Sequence, residues 1–130
     1  MAKDPATAKY PEISRHQSTA GTPEGAAQAI ATAFVKDGFT VILVSHDGQA
    51  APPGCIASKP GELASTLGLT LCDELDQLRV RKVIVVIDAQ PVFHEGKAYH
   101  PIKPSTVTAL VCEMQTDYPD DDLAGIYVYE

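Results

Sequence analysis

Lys82-Val-Ile-Val-Val-Ile-Asp88 decides the fold. Val83 to Ile87 are all apolar and all β-branched, with no polar residue alternating between them. A run of this kind reads as a strand covered on both faces, the pattern of a parallel sheet with helices packed on either side. Phe39-Thr-Val-Ile-Leu-Val44, about forty residues earlier, carries the same signal.

Between and around these strands the period changes from two to that of a helix. Thr22-Pro-Glu24 is a helix start, with Thr22 as N-cap and Pro23 at the first helical position. Ala27, Ile30 and Phe34 then share a face, with Gln28, Thr32 and Lys36 turned away, and Gly38 ends the helix. A second helix is predicted from about Gly61 to Leu78 on the stripe Leu63, Leu67, Leu71, Leu75 and Leu78, with Gly68 as a place for a kink or a break. A third opens at Pro104, buries Val107, Leu110, Val111 and Met114, and stops before Pro119 and Asp120 to Asp122. Ile126-Tyr-Val-Tyr129 alternates, which predicts a half-exposed strand at a sheet edge. Tyr10 to Ser14 is a weaker strand signal, because Pro11 interrupts it.

Helix and strand alternate three times. The expected fold is therefore α/β: a small three-layer domain with a mainly parallel sheet of three to four strands and helices on its faces. Residues 1–20 read as an N-terminal arm and 21–130 as a single domain of ordinary size.

Composition excludes several classes of function. The net charge is −7, and no basic cluster is present to meet a phosphate backbone or an anionic membrane. The expectation is no nucleic-acid and no membrane partner. The longest apolar run, Val83 to Ile87, is far too short to span a bilayer, and the N-terminus has no apolar leader segment. Cys55, Cys72 and Cys112 are odd in number and widely spaced, against a disulfide framework or a zinc knuckle. The expected compartment is the cytoplasm. Cys72 and Cys112 fall in apolar helices and read as core residues; Cys55 is a loop thiol that no local signature marks as a nucleophile.

In open parallel sheets, ligands bind beyond the carboxyl ends of the strands. The strand ending at Val44 runs into Ser45-His46-Asp47-Gly48, and the one ending at Asp88 runs into Ala89-Gln90 and a loop holding His94 and His100. If the two strands are neighbours, Asp88, His46 and Asp47 form a candidate catalytic group. Ser45, Gln90, His94 and His100 would be the ligand-binding residues around it. Imidazole and carboxylate together can act as acid and base. The same set suits a divalent metal, with His46, Asp88 and His94 as candidate ligands. Against each residue stands a plain structural role, since Asp at strand ends commonly caps turns and helices. No phosphate-binding glycine motif is present.

Val83 to Phe93 resembles the first strand of the isochorismatase-like hydrolases, and that resemblance implies a triad role for Asp88. The chain departs from the family in having no counterpart to its Cys and Lys, and in placing this strand at residue 82. Arg15-His16-Gln17 with Val44-Ser45-His46 resembles the paired histidine motifs of the histidine phosphatases, at a much shorter separation. Neither family is assigned.

Two functions are expected from these observations. The first is binding of a small or nucleotide-like molecule at the strand tips, with hydrolysis as the chemistry the residues permit. The second is a non-catalytic subunit, a homo-oligomer or adaptor that associates through the tyrosine-bearing last strand.

Overall fold

The computed structural model describes residues 13–16, 25–46, 52–76, 83–117 and 123–130. Among the described residues the elements run in the order β1 (Ile13–His16), α1 (Ala26–Lys36), β2 (Thr40–Val44), β3 (Ile56–Ser58), α2 (Leu63–Asp76), β4 (Val83–Asp88), β5 (Val92–His94), β6 (Lys97–Tyr99), α3 (Pro104–Asp117) and β7 (Gly125–Tyr129). A 3-10 turn, Pro60–Glu62, leads into α2.

Five strands form one sheet in the order β1-β7-β4-β2-β3, and every adjacent pair is parallel. The α/β architecture is the expected one, with one more short strand than the sequence indicated. β4 is central because its apolar run satisfies both faces: Val83, Val85 and Ile87 join one buried cluster, Ile84 and Val86 the other. β2 divides in the same way, Ile42 and Val44 against Val41 and Leu43. The first face is covered by Leu63 and Leu67 of α2 and by Val107, Leu110, Val111 and Met114 of α3. The second is covered by α1, whose Ala27 and Ala31 are fully buried and let the helix lie close to the sheet.

The layering follows from crossover hand. From β1 to β2 the chain moves one way along the sheet; from β3 to β4 and from β4 to β7 it moves the other way. Parallel crossovers share one hand, so opposite directions place their helices on opposite faces. Among the described residues no helix is long and apolar enough to cross a membrane.

The structure corrects several expectations. β7 is not an edge strand: β1 covers one side of it and β4 the other. Tyr129 is buried, and the half-buried Tyr127 ring lies 4.8 Å from that of Phe34. The alternation of Ile126 to Tyr129 reflects two kinds of cover, because Tyr can fill an apolar layer while keeping its hydroxyl near the rim. α2 is continuous through Gly68. Leu63 and Leu67 are buried as expected, while the side chains of Leu71 and Leu75, and the whole of Leu78, lie outside the described residues. α1 starts at Ala26 with Gly25 at its N-cap; Thr22 to Glu24 lie outside the described residues, as does the stretch from Tyr118 to Asp122 beyond α3. Gly38 closes α1 at φ 93° in the left-handed region, as its position implied. Cys112 is exposed rather than in the core, and the Cys72 side chain lies outside the described residues.

The two long loops contain structure that composition did not reveal. β3 lies inside the first. Its approach is a turn in which the Cys55 N–H donates to the Pro52 carbonyl at 3.1 Å, with Gly54 at φ 88° behind Pro53. The second holds the β5–β6 hairpin, Val92 opposite Tyr99 and His94 opposite Lys97, around a two-residue Glu95-Gly96 loop. Glu95 sits at φ 52°.

Candidate functional site

β2 and β4 are adjacent, with Val44 level with Ile87. Beyond them the chain diverges: after β2 it passes outward to β3, and after β4 it heads the opposite way to β7. Such a divergence is a topological switch point, the place outside the carboxyl ends of the strands where open α/β sheets commonly bind ligands. Ser45 and His46 follow one strand tip, and Asp88 closes the other.

The first tip is anchored. Ser45 is buried, and its N–H donates to the Ser58 carbonyl at 3.0 Å, holding the end of β2 to β3. His46 next to it is exposed. Asp47 lies outside the described residues. The second tip is anchored on its other side, where the Ala89 N–H donates to the Tyr129 carbonyl at 2.7 Å.

Asp88 is half-buried and continues the Ile84, Val86 face toward α1. There it meets a residue that sequence reasoning turned to solvent. Gln28, half-buried in the first turn of α1, donates from Nε2 to Asp88 Oδ2 at 2.7 Å. Gln28 is next in sequence to the fully buried Ala27, which brings it round to the margin of the packed face. The close seating of α1 on Ala27 and Ala31 then places that margin over the end of β4. Its amide oxygen, Oε1, is buried and has no hydrogen-bond partner among the described residues. Buried amide oxygens are usually paired, with a protein group, an ordered water or a ligand.

The remaining candidates do not gather round this pair. Gln90 is half-buried just past Asp88. His94 belongs to β5, and its side chain lies outside the described residues. His100 is exposed and lines, with Ala89, Ile102, Pro104, Val107 and Glu130, a cavity of about 30 Å³. That cavity faces α3, on the other side of the sheet from Gln28, and has room for little more than a water molecule. Among the described residues no three His, Cys, Asp or Glu side chains stand together as a metal site. Cys55 packs half-buried against the α1 layer, and burial raises its thiol pKa, which disfavours the nucleophilic thiolate.

A larger cavity of about 200 Å³ opens between α2 and α3, lined chiefly by Leu63, Leu67, Leu110 and Met114 with Glu113 at its margin. Its lining side chains are apolar apart from Glu113, which is the one group among them suited to acid–base chemistry.

No family model, no curated protein and no solved structure matches this chain.

Proposed function

We propose that this protein binds a small molecule in the crevice at the carboxyl ends of β2 and β4, with Asp88 as its polar anchor and Ser45 and His46 on the facing tip. One observation carries the reading: β2 and β4 are neighbours whose exits run in opposite directions, and the carboxylate at that divergence is held by Gln28 at 2.7 Å. A carboxylate fixed by a long-range side chain is positioned, whereas a turn-capping aspartate bonds its own neighbouring backbone. Hydrolysis is the chemistry these groups permit, His46 and Asp88 sharing the transfer of a proton. Gln90, half-buried just past Asp88, is assigned a supporting position beside the crevice, whereas His100 stands on the α3 side of the sheet and is left out of it, and Asp47 and the His94 side chain lie outside the described residues.

A second reading, a non-catalytic subunit acting through protein contacts, rests on the hairpin. Val92 and Tyr99 are cross-strand partners and both largely exposed, 52% and 66%.

Native mass spectrometry of gently purified protein, with metal analysis of the same sample, separates the two. A retained small molecule or ion that disappears in Asp88→Asn or His46→Ala, with the far-ultraviolet circular dichroism unchanged, supports the crevice. An empty chain that self-associates as concentration rises, and dissociates on Tyr99→Ser, supports the hairpin instead.

A further inference from the structure

The Gln28–Asp88 pair bears on what kind of ligand is bound. We infer that the ligand presents a protonated primary amine to Asp88 and Gln28; this rests on the crevice reading above.

Both unsatisfied positions are acceptors. The Asp88 carboxylate has one hydrogen bond among the described residues, that from Gln28, and no cationic side chain among them pairs with it. Gln28 Oε1 is buried without a donor. The two atoms of an amide head are about 2.3 Å apart. With the Nε2 to Oδ2 bond at 2.7 Å, Oε1 lies at most about 5 Å from that carboxylate oxygen. One ammonium nitrogen with two hydrogen bonds of about 2.8 Å reaches both acceptors. It brings three donors and the missing positive charge. A hydroxyl brings one donor and no charge. A bare divalent ion needs further oxygen or nitrogen ligands, and the described residues offer no cluster of three.

Access is compatible with this. Gly25 is beside Oε1, where a Cβ would make an ordinary contact at 3.9 Å, and its lack of a side chain keeps the cover over that oxygen thin. The last torsion of a glutamine is broad and low in barrier, so a modest rocking of the amide exposes Oε1 to an arriving donor while Nε2 stays within reach of Asp88. The chain's charge of −7 favours a cationic ligand over an anionic one.

The test is a ¹H–¹⁵N correlation titration of the whole chain at constant ionic strength, with ethylammonium, glycinamide, 1,4-diaminobutane, tetramethylammonium, ethanol and acetate as separate probes. Saturable shifts of the Gln28 side-chain NH₂ pair and the Asp88 amide are expected with the primary ammonium probes alone, with affinity falling at least tenfold in Asp88→Asn and severalfold in Gln28→Met. Preference for glycinamide points to α-amino compounds, and preference for 1,4-diaminobutane to polyamines. Equal binding of tetramethylammonium overturns the proposal, because that ion has charge but no donor. Acetate or ethanol shifting the Ser45, His46 and Asp88 amides while ammonium probes do not overturns the amine assignment and leaves the crevice standing. If no probe moves those residues, both readings fail.

Discussion

Replacing Gly54 by alanine tests how the loop beyond β2 is returned to the sheet. Gly54 sits at φ 88°, and a Cβ there would stand 2.9 Å from Val35 Cγ1 on α1. Gly38 provides the internal control: its φ is 93°, but a Cβ there would meet nothing within 4 Å. The left-handed conformation costs an alanine about 1–2 kcal/mol, and the stiffer unfolded chain returns about 0.4–1 kcal/mol. Gly38→Ala should therefore lose on the order of 1 kcal/mol. Gly54→Ala adds a methyl pressed on a β-branched side chain with little rotamer freedom, about 1–2 kcal/mol more, for a total of about 2–3 kcal/mol. Urea unfolding with an unchanged m-value measures both losses. Adding Val35→Ala should recover most of the extra loss in the Gly54 variant and none in the Gly38 variant, which makes a double-mutant cycle with a coupling of about 1–2 kcal/mol. Equal losses for the two glycines, or a coupling below about 0.4 kcal/mol, would refute the close approach of this turn to α1.

Other expectations follow from burial and titration. Leu67 is fully buried and Leu69 is 72% exposed on the same helix; Leu67→Ala should cost about 2–5 kcal/mol and Leu69→Ala under about 0.5 kcal/mol in the same unfolding assay. Iodoacetamide labelling followed by peptide mapping should modify the exposed Cys112 well before Cys55, whose thiol pKa burial raises. Burial, then the neighbouring Tyr127, raises the Tyr129 pKa above its ordinary value of 10.0. The folded chain then holds that proton longer than the unfolded chain does, so this contribution to stability is complete below pH 10 and is lost as pH climbs through the raised value. Tyr129→Phe should flatten the alkaline fall in urea midpoint above that pH.

The parts of the fold that were legible in sequence are those whose signal is local. β2 and β4 announce themselves because a strand buried on both faces must be apolar at every position, and α3 because Val107, Leu110, Val111 and Met114 follow the helical period. β7 misled because a tyrosine next to an apolar residue looks the same whether its ring meets water or, as for Tyr127, the ring of Phe34. β3 is three residues long and borrows its order from β2, so nothing in Ile56-Ala57-Ser58 distinguishes it from loop. The β5–β6 hairpin was hidden by Glu95, which occupies a positive-φ turn position where Asn, Asp or Gly is the usual signal.

The candidate site divides along the same line. Asp88 was readable as the polar stop of an apolar run. Gln28 was not, because its partner is sixty residues away and its own helical stripe points only to the layer in which it lies. The seating of α1 on Ala27 and Ala31 decides whether the adjacent glutamine reaches the strand tip or water. The small size of those two residues was the one local hint of close approach. His100 was grouped with Asp88 by loop membership, yet neighbouring positions of a strand face opposite ways, and its cavity opens on the α3 side beside Ala89.

The most direct measurement of the central claim is a protein-observed fragment screen by ¹H–¹⁵N correlation spectroscopy, with a chemically diverse library and the shifts mapped on the assigned chain. The hits should converge on Ser45, His46, Gln28, Asp88 and Ala89 at the parting of β2 and β4, and Asp88→Asn should remove them. Hits confined to Leu63, Leu67 and Met114 in the cleft between α2 and α3, or no saturable hits at all, would contradict a ligand site at the strand tips.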